Sequence, residues 1–377
     1  MPETHEGRKE KRFSCRRLAI ARQLRAITMK TLSGLIGVTA QAVSQYENGI
    51  ALPSPESCRR IAEALNFDIG FFFGDDIEGI ALEAISFRSR RAMTARVRDK
   101  TKSNCELASE FIWPALAQRF HLPQPDLPKF TDEEPELAAN IVRTVWDLGR
   151  GPVSNMVHLL EAKGVQVYWF REESPYVDAV SFWRDQNPFV LVSQRRRGGE
   201  RVRFDLAHEL GHLVLHWQPS DLDSREVESQ ANRFAAAFLL PESQYRMECP
   251  IFPTLAQFLE LKPRWKVSVQ AMIRRSRDVG IISQWQYQSL FKQLSMKWGR
   301  LSELCELPLE ESAVQAKVFG SLLAGGMYAD DFAQTLRIGV DDLVNLIPAA
   351  SHFRKQEGEC QPYQRLTIEE LGYRPPG

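Results

Sequence analysis

Between residues 203 and 216 the chain reads RFDLAHELGHLVLH, which sets His208, Glu209 and His212 at His-Glu-x-x-His spacing. On an α-helix, residues i and i+4 lie one turn apart on one face. Two imidazoles can therefore converge on one metal ion while Glu209, beside the first, reaches a water at that metal. Leu206, Ala207, Leu210, Leu213, Val214 and Leu215 make the helix apolar, a costly setting for two histidines and a glutamate unless a cation pairs them. Zn2+ takes such donors, and the chemistry implied is peptide hydrolysis with Glu209 as the proton acceptor. A catalytic zinc keeps one position open, so a third protein ligand is expected downstream. Glu228 opens the apolar-periodic run ESQANRFAAAFLLP and completes a His2Glu set. Asp223 and Glu226 are its rivals, although Glu226, two positions away, points off the Glu228 face. Asn232, one turn beyond Glu228, stands where a residue can hydrogen-bond a ligand histidine. His216 follows His212 too closely, with no intervening glycine, to match a third-histidine pattern. An oxyanion donor is expected, and spacing does not choose among His216, Tyr176 and the arginines.

A small sheet is expected ahead of this helix. VQVYWF at 165–170 reads as a strand, and 181–185 with 188–193 reads as a hairpin turning near Asn187 and Pro188. Helices are expected at 134–148 and 153–163. The run HLPQPDLPKF, with Pro123, Pro125 and Pro128, should be extended.

Near the N-terminus, TLSGLIGVTAQAVSQYENG (31–49) places an apolar-periodic helix before Gly37 and a second, capped by Thr39, over 40–47. That is a helix-turn-helix, with a third helix at 55–65 and the apolar FDIGFFFG closing the unit. The second helix would enter the major groove of double-stranded DNA. Ala40, Gln41, Ser44 and Gln45 would face the bases, with Thr39 and Asn48 near phosphates. Nine Lys/Arg against one acid from Arg8 to Lys30, and seven against one from Arg88 to Lys102, offer positive charge to phosphate. A single module would need dimerisation for a tight site, so a homodimer is expected. KVSVQAMI at 266–273 echoes GVTAQAVS at 37–44, and IGVDDLVN at 338–345 echoes it more weakly.

With 377 residues the chain has room for two or three domains, and its 48 basic and 48 acidic residues leave no net charge. No apolar stretch approaches the ~20 residues of a membrane helix, the N-terminus lacks the core of a secretory signal, and six cysteines are scattered without a framework. These features predict a cytoplasmic protein with no membrane partner. The expected architecture is multidomain and mainly α. A five-helix unit (14–74) precedes a basic helical linker (75–130), an α+β zincin-like domain with its small sheet (131–250), a helix-turn-helix-like segment (251–300) and a C-terminal helical region with an irregular tail (301–377).

GVTAQAVSQYENG resembles the XRE-type helix-turn-helix, and RFDLAHELGHLVLH with ESQANRFAAAFLLP resembles the ImmA/IrrE family of zinc peptidases. LKPRWKVSVQAMIRRSRDVGII is similar to that family's downstream helices, so the likeness spans most of 14–300. It implies a regulator whose relatives cleave an XRE-type repressor under stress, derepressing repair or mobile-element genes. It also implies His208, His212 and Glu228 as ligands and Glu209 as the catalytic glutamate. Met29, where many such units carry glutamine, and Gly34 within the first helix depart from the pattern. Two other readings stay open: a transcription factor whose zincin domain is a non-catalytic sensor or dimerisation module, and a regulator that cuts its own chain between 75 and 130.

Overall fold

The computed structural model describes residues 12–86, 93–172, 174, 176–194, 198–218, 223–298 and 306–356. The expected irregular tail, from 357, and part of the basic run, 87–92, lie outside the described residues. Contacts divide the chain into two units, one within Met1–Leu82, Arg90–His121 and Gln315–Gly377, the other within Glu83–Ser89 and Leu122–Val314.

The first unit opens with α1 (Cys15–Leu24), α2 (Met29–Ile36), α3 (Ala40–Glu47) and α4 (Pro55–Leu65). Each starts at a hydroxyl cap, Ser14, Thr28, Thr39 and Ser54, which accepts a first-turn amide that would otherwise lack a partner. Gly37 ends α2 at φ 71°, a left-handed conformation that favours glycine and turns the chain into α3. Leu18, Ile20, Leu32, Ile36, Val43, Ile61 and Leu65 form the core. The five-helix form is completed by a 3-10 turn, Ile69–Phe72, whose Phe71 and Phe72 pack with Phe67 and Phe13. The basic segment, for which the periodicity predicts a helix over roughly 104–120, is helical from further back. It forms α5 (Ala95–Glu106), runs through a π-type turn at Leu107–Ile112 and ends as α6 (Trp113–Ala117).

In the second unit, residues 122–130 are free of regular structure, and the Phe130 amide is tied to the carbonyl of Val214. Then come α7 (Pro135–Val145), α8 (Met156–Ala162), β1 (Gln166–Phe170), β2 (Ala179–Arg184), β3 (Asn187–Ser193), α9 (Gly199–Leu215) and α10 (Ser224–Leu239). The three strands lie in the order β1-β3-β2, β1 parallel and β2 antiparallel to β3. Asp185 and Gln186, both at positive φ, form the two-residue hairpin turn, slightly ahead of the expected Asn187 and Pro188. Helix α9 lies in the core with Leu206, Ala207, Leu210, Leu213 and Val214 buried. The unit continues through α11 (Glu242–Glu248), α12 (Leu255–Trp265), α13 (Val269–Asp278) and α14 (Gln284–Trp298).

After α15 (Ala313–Ala324), the helices α16 (Ala329–Thr335) and α17 (Val340–Leu346) belong to the first unit. Both sequence echoes thus fall on helix–turn–helix pairs, α12–α13 and α16–α17. The first turn of α17 carries Asp341 and Asp342, which pair with Arg354 and Arg25. No helix among the described residues is long and apolar enough to cross a membrane.

Candidate metal centre

Helix α9 presents His208, Glu209 and His212, all buried, and α10 brings Glu228 against the two imidazoles. The approach depends on Gly211. A Cβ there would lie 3.1 Å from the Phe234 ring and 3.3 Å from the Cα of Ala231, so a side chain would push α10 away. His208 Nε2 and His212 Nε2 are 3.0 Å apart, and each is 3.4 Å from a Glu228 carboxylate oxygen.

The surrounding hydrogen bonds fix the tautomers. Asn232 Nδ2 donates to the Glu228 carbonyl at 2.7 Å, which turns its Oδ1 toward His208 Nδ1 at 3.2 Å. An amide oxygen only accepts, so His208 carries its proton on Nδ1. On the other side Gln230 Nε2 donates to Glu226 at 3.3 Å, and His216 Nε2 donates to Gln230 Oε1 at 3.0 Å. His216 Nδ1 is then the acceptor for His212 Nδ1–H at 3.0 Å. Burial pushes the His216 imidazole down to about 4, which keeps it neutral and able to accept. Both candidate ligands therefore turn bare Nε2 atoms toward each other and toward a carboxylate.

Three acceptors facing one another need a cation. Two Zn–N bonds of ~2.0–2.1 Å at a tetrahedral angle separate the nitrogens by about 3.3 Å, close to the spacing seen here. Glu228 Oε2 is buried without a hydrogen-bond partner, the orphan that a metal would satisfy. Burial opposes ionisation of Glu228, and its carboxyl is held below its usual range only when positive charge, on the imidazoles of His208 and His212 or on a cation between them, faces it. Among the described residues this is the one group of three or more His, Cys, Asp or Glu side chains that could hold a metal ion.

The rivals have other work. Asp223 caps α10 by accepting from the amides of Arg225 and Glu226, while Glu226 meets Gln230 and Arg233. His216 has both ring nitrogens engaged and drops out as an oxyanion donor; Tyr176 is exposed. Sequence reasoning missed the contribution of Gln230 and of His216 as an acceptor, although Gln230 stands one turn beyond Glu226 on the helix that carries Glu228. It also missed Ser181 of β2, whose Oγ donates to Glu209 Oε2 at 2.5 Å.

Residues 160–277 match the family model of the IrrE N-terminal-like domain, peptidase family M78. Over these residues the chain is similar to an IrrE-like peptidase domain. Residues 18–72 match a helix-turn-helix family model, so the DNA-binding type of module precedes the IrrE-like domain. No curated protein matches the chain.

In the helix-turn-helix, Ala40 and Gln41 are exposed and Ser44 and Gln45 half-buried on α3. Thr39 caps that helix, and Asn48 donates to the Ser44 carbonyl at its end. The basic flank is less available than its composition suggests. Arg16 is bonded to buried Glu106, Arg22 to Glu47 and Arg25 to Asp342, while Arg17 donates to the Phe71 carbonyl. Lys30 is exposed.

Asn232→Ala removes the acceptor that sets the His208 tautomer. We expect zinc affinity to fall roughly 10- to 100-fold, measured by competition with a chromophoric chelator. Unchanged affinity would show that His208 needs no such partner.

Proposed function

We propose that the protein is a DNA-binding transcriptional regulator whose IrrE-like domain is a zinc endopeptidase that cleaves an XRE-type repressor in the cytoplasm. The observation carrying this reading is the pair of bare Nε2 atoms aimed at Glu228, with Glu209 on the next position of the same buried helix. His208, His212 and Glu228 hold the metal, and Asn232 orients His208. Zinc, when bound there, supplies an acidified water and polarises the scissile carbonyl. Glu209 accepts the proton from the attacking water and returns it to the leaving amine. Its apolar helix excludes competing solvent from the carboxylate.

The modules proposed to divide this work are residues 14–74 for DNA and 131–250 for hydrolysis. Gln41 and Gln45 read adenine edges, Ala40 and Ser44 complete the base-facing surface, and Thr39 and Asn48 contact phosphate. Because the flanking arginines are paired internally, we assign sequence preference to α3 and expect a homodimer to supply the remaining affinity. Gln41→Ala and Gln45→Ala should each relax operator preference by about 1 to 3 kcal/mol per lost base contact, read by competition binding with mutated sites. Equal preference in the variants would remove α3 as the reader.

To test the peptidase reading, zinc-loaded protein and its Glu209→Gln variant are incubated with an XRE-type repressor encoded beside it. Discrete fragments from the first protein alone are expected. No fragments from either, across such repressors, would favour a sensor or dimerisation module.

A further inference from the structure

Ser181 lies in the middle of β2 at 2% exposure, between the buried side chains Val180 and Phe182. A hydroxyl in such a place costs stability unless it is bonded. Its Oγ donates to Glu209 Oε2 at 2.5 Å, within the range of a charge-assisted O–H···O⁻ bond. The main chain that aims this hydroxyl is itself held from two sides. Ser181 stands opposite Val190 of β3, and its carbonyl, on the outer edge of β2, accepts from the Ser86 amide at 2.9 Å. With the backbone fixed, one torsion remains between the strand and the bond to Glu209.

Glu209 has three side-chain torsions, and a proton acceptor must hold its oxygens within hydrogen-bond reach of the reacting water. Helix α9 fixes its Cα but not the plane of its carboxylate. We propose that Ser181 is a positioning residue, which sets the rotation of the Glu209 carboxylate from the neighbouring strand. The inference rests on the reading of Glu209 as the base.

The test uses the full chain loaded with zinc and acetohydroxamate as probe, a chelator whose hydroxyl proton is taken up by a carboxylate beside the metal. Ser181→Ala should weaken the probe about tenfold, because a carboxylate no longer held by the strand must be ordered when the probe binds. In a Glu209→Ala background the same change should have no further effect, because the two residues act as a unit. Ser181→Thr, which keeps the hydroxyl, should restore binding, and Ser181→Cys, a poor donor of similar size, should resemble alanine. Thermal midpoints establish that each variant is folded. Unchanged affinity in Ser181→Ala or Ser181→Cys, or additive losses in the double variant, would overturn the proposal. A folded wild-type chain that takes up no zinc would instead remove the peptidase reading.

Discussion

Glu209→Gln should reduce peptide cleavage by about 10²- to 10⁴-fold, the range for loss of a positioned general base, while leaving zinc content at the wild-type level. Glutamine matches glutamate in volume and can still bond to the Ser181 hydroxyl, so the buried site keeps its shape. What it cannot do is accept the water's proton. The ligand geometry lies on other residues, since the converging atoms belong to His208, His212 and Glu228. Cleavage and metal analysis of the same samples separate the two effects. Wild-type turnover in the variant would mean that another group takes the proton, and loss of zinc would mean that Glu209 helps to build the site.

The second large effect concerns the frame of α9. Glu200, in the first turn of that helix, accepts from Lys262 Nζ at 2.9 Å, with the two side chains 5% and 1% exposed. Its second oxygen accepts from the Leu307 amide at 3.0 Å, and Gly199 donates to the Leu307 carbonyl at 2.8 Å. One turn later Arg203 bonds to Glu310, and Glu310 also accepts from the amides of Met156 and Val157 at the start of α8. Charged groups taken out of water are tolerable only as pairs. Lys262→Ala leaves Glu200 buried without its cation, and we expect a loss of about 3 to 5 kcal/mol. Denaturant unfolding monitors it. Adding Glu200→Gln should recover much of the loss, because the orphaned charge is then gone. A Lys262→Ala chain as stable as wild type would show that water reaches Glu200.

The parts of this architecture most legible in the sequence are those with a period or a fixed spacing. His208 and His212 one turn apart, the glycine at 37 and the cap at Thr39 each state a local rule. Local rules reach only a few residues. Glu228 was accessible because it begins a second apolar-periodic helix, whereas Gly211 reads as a helix-weakening residue until the proximity of Phe234 and Ala231 gives its reason. The fate of the arginines was hidden for the same cause. Arg25 meets Asp342 and Arg16 meets Glu106, partners distant in the chain, so part of a basic run that looks like a phosphate surface is neutralised by the fold. The His216–Gln230 bond also joins two helices. Spacing could say that His216 was a poor ligand but not that it orients His212.

The central claim is that α9 and α10 together hold one zinc ion. Anomalous diffraction at the zinc edge from crystals of the zinc-loaded chain tests it most directly. The account predicts one peak, ~2.0–2.2 Å from Nε2 of His208, Nε2 of His212 and a carboxylate oxygen of Glu228. A zinc-loaded crystal with no peak there, or with its peak on other residues, would contradict it.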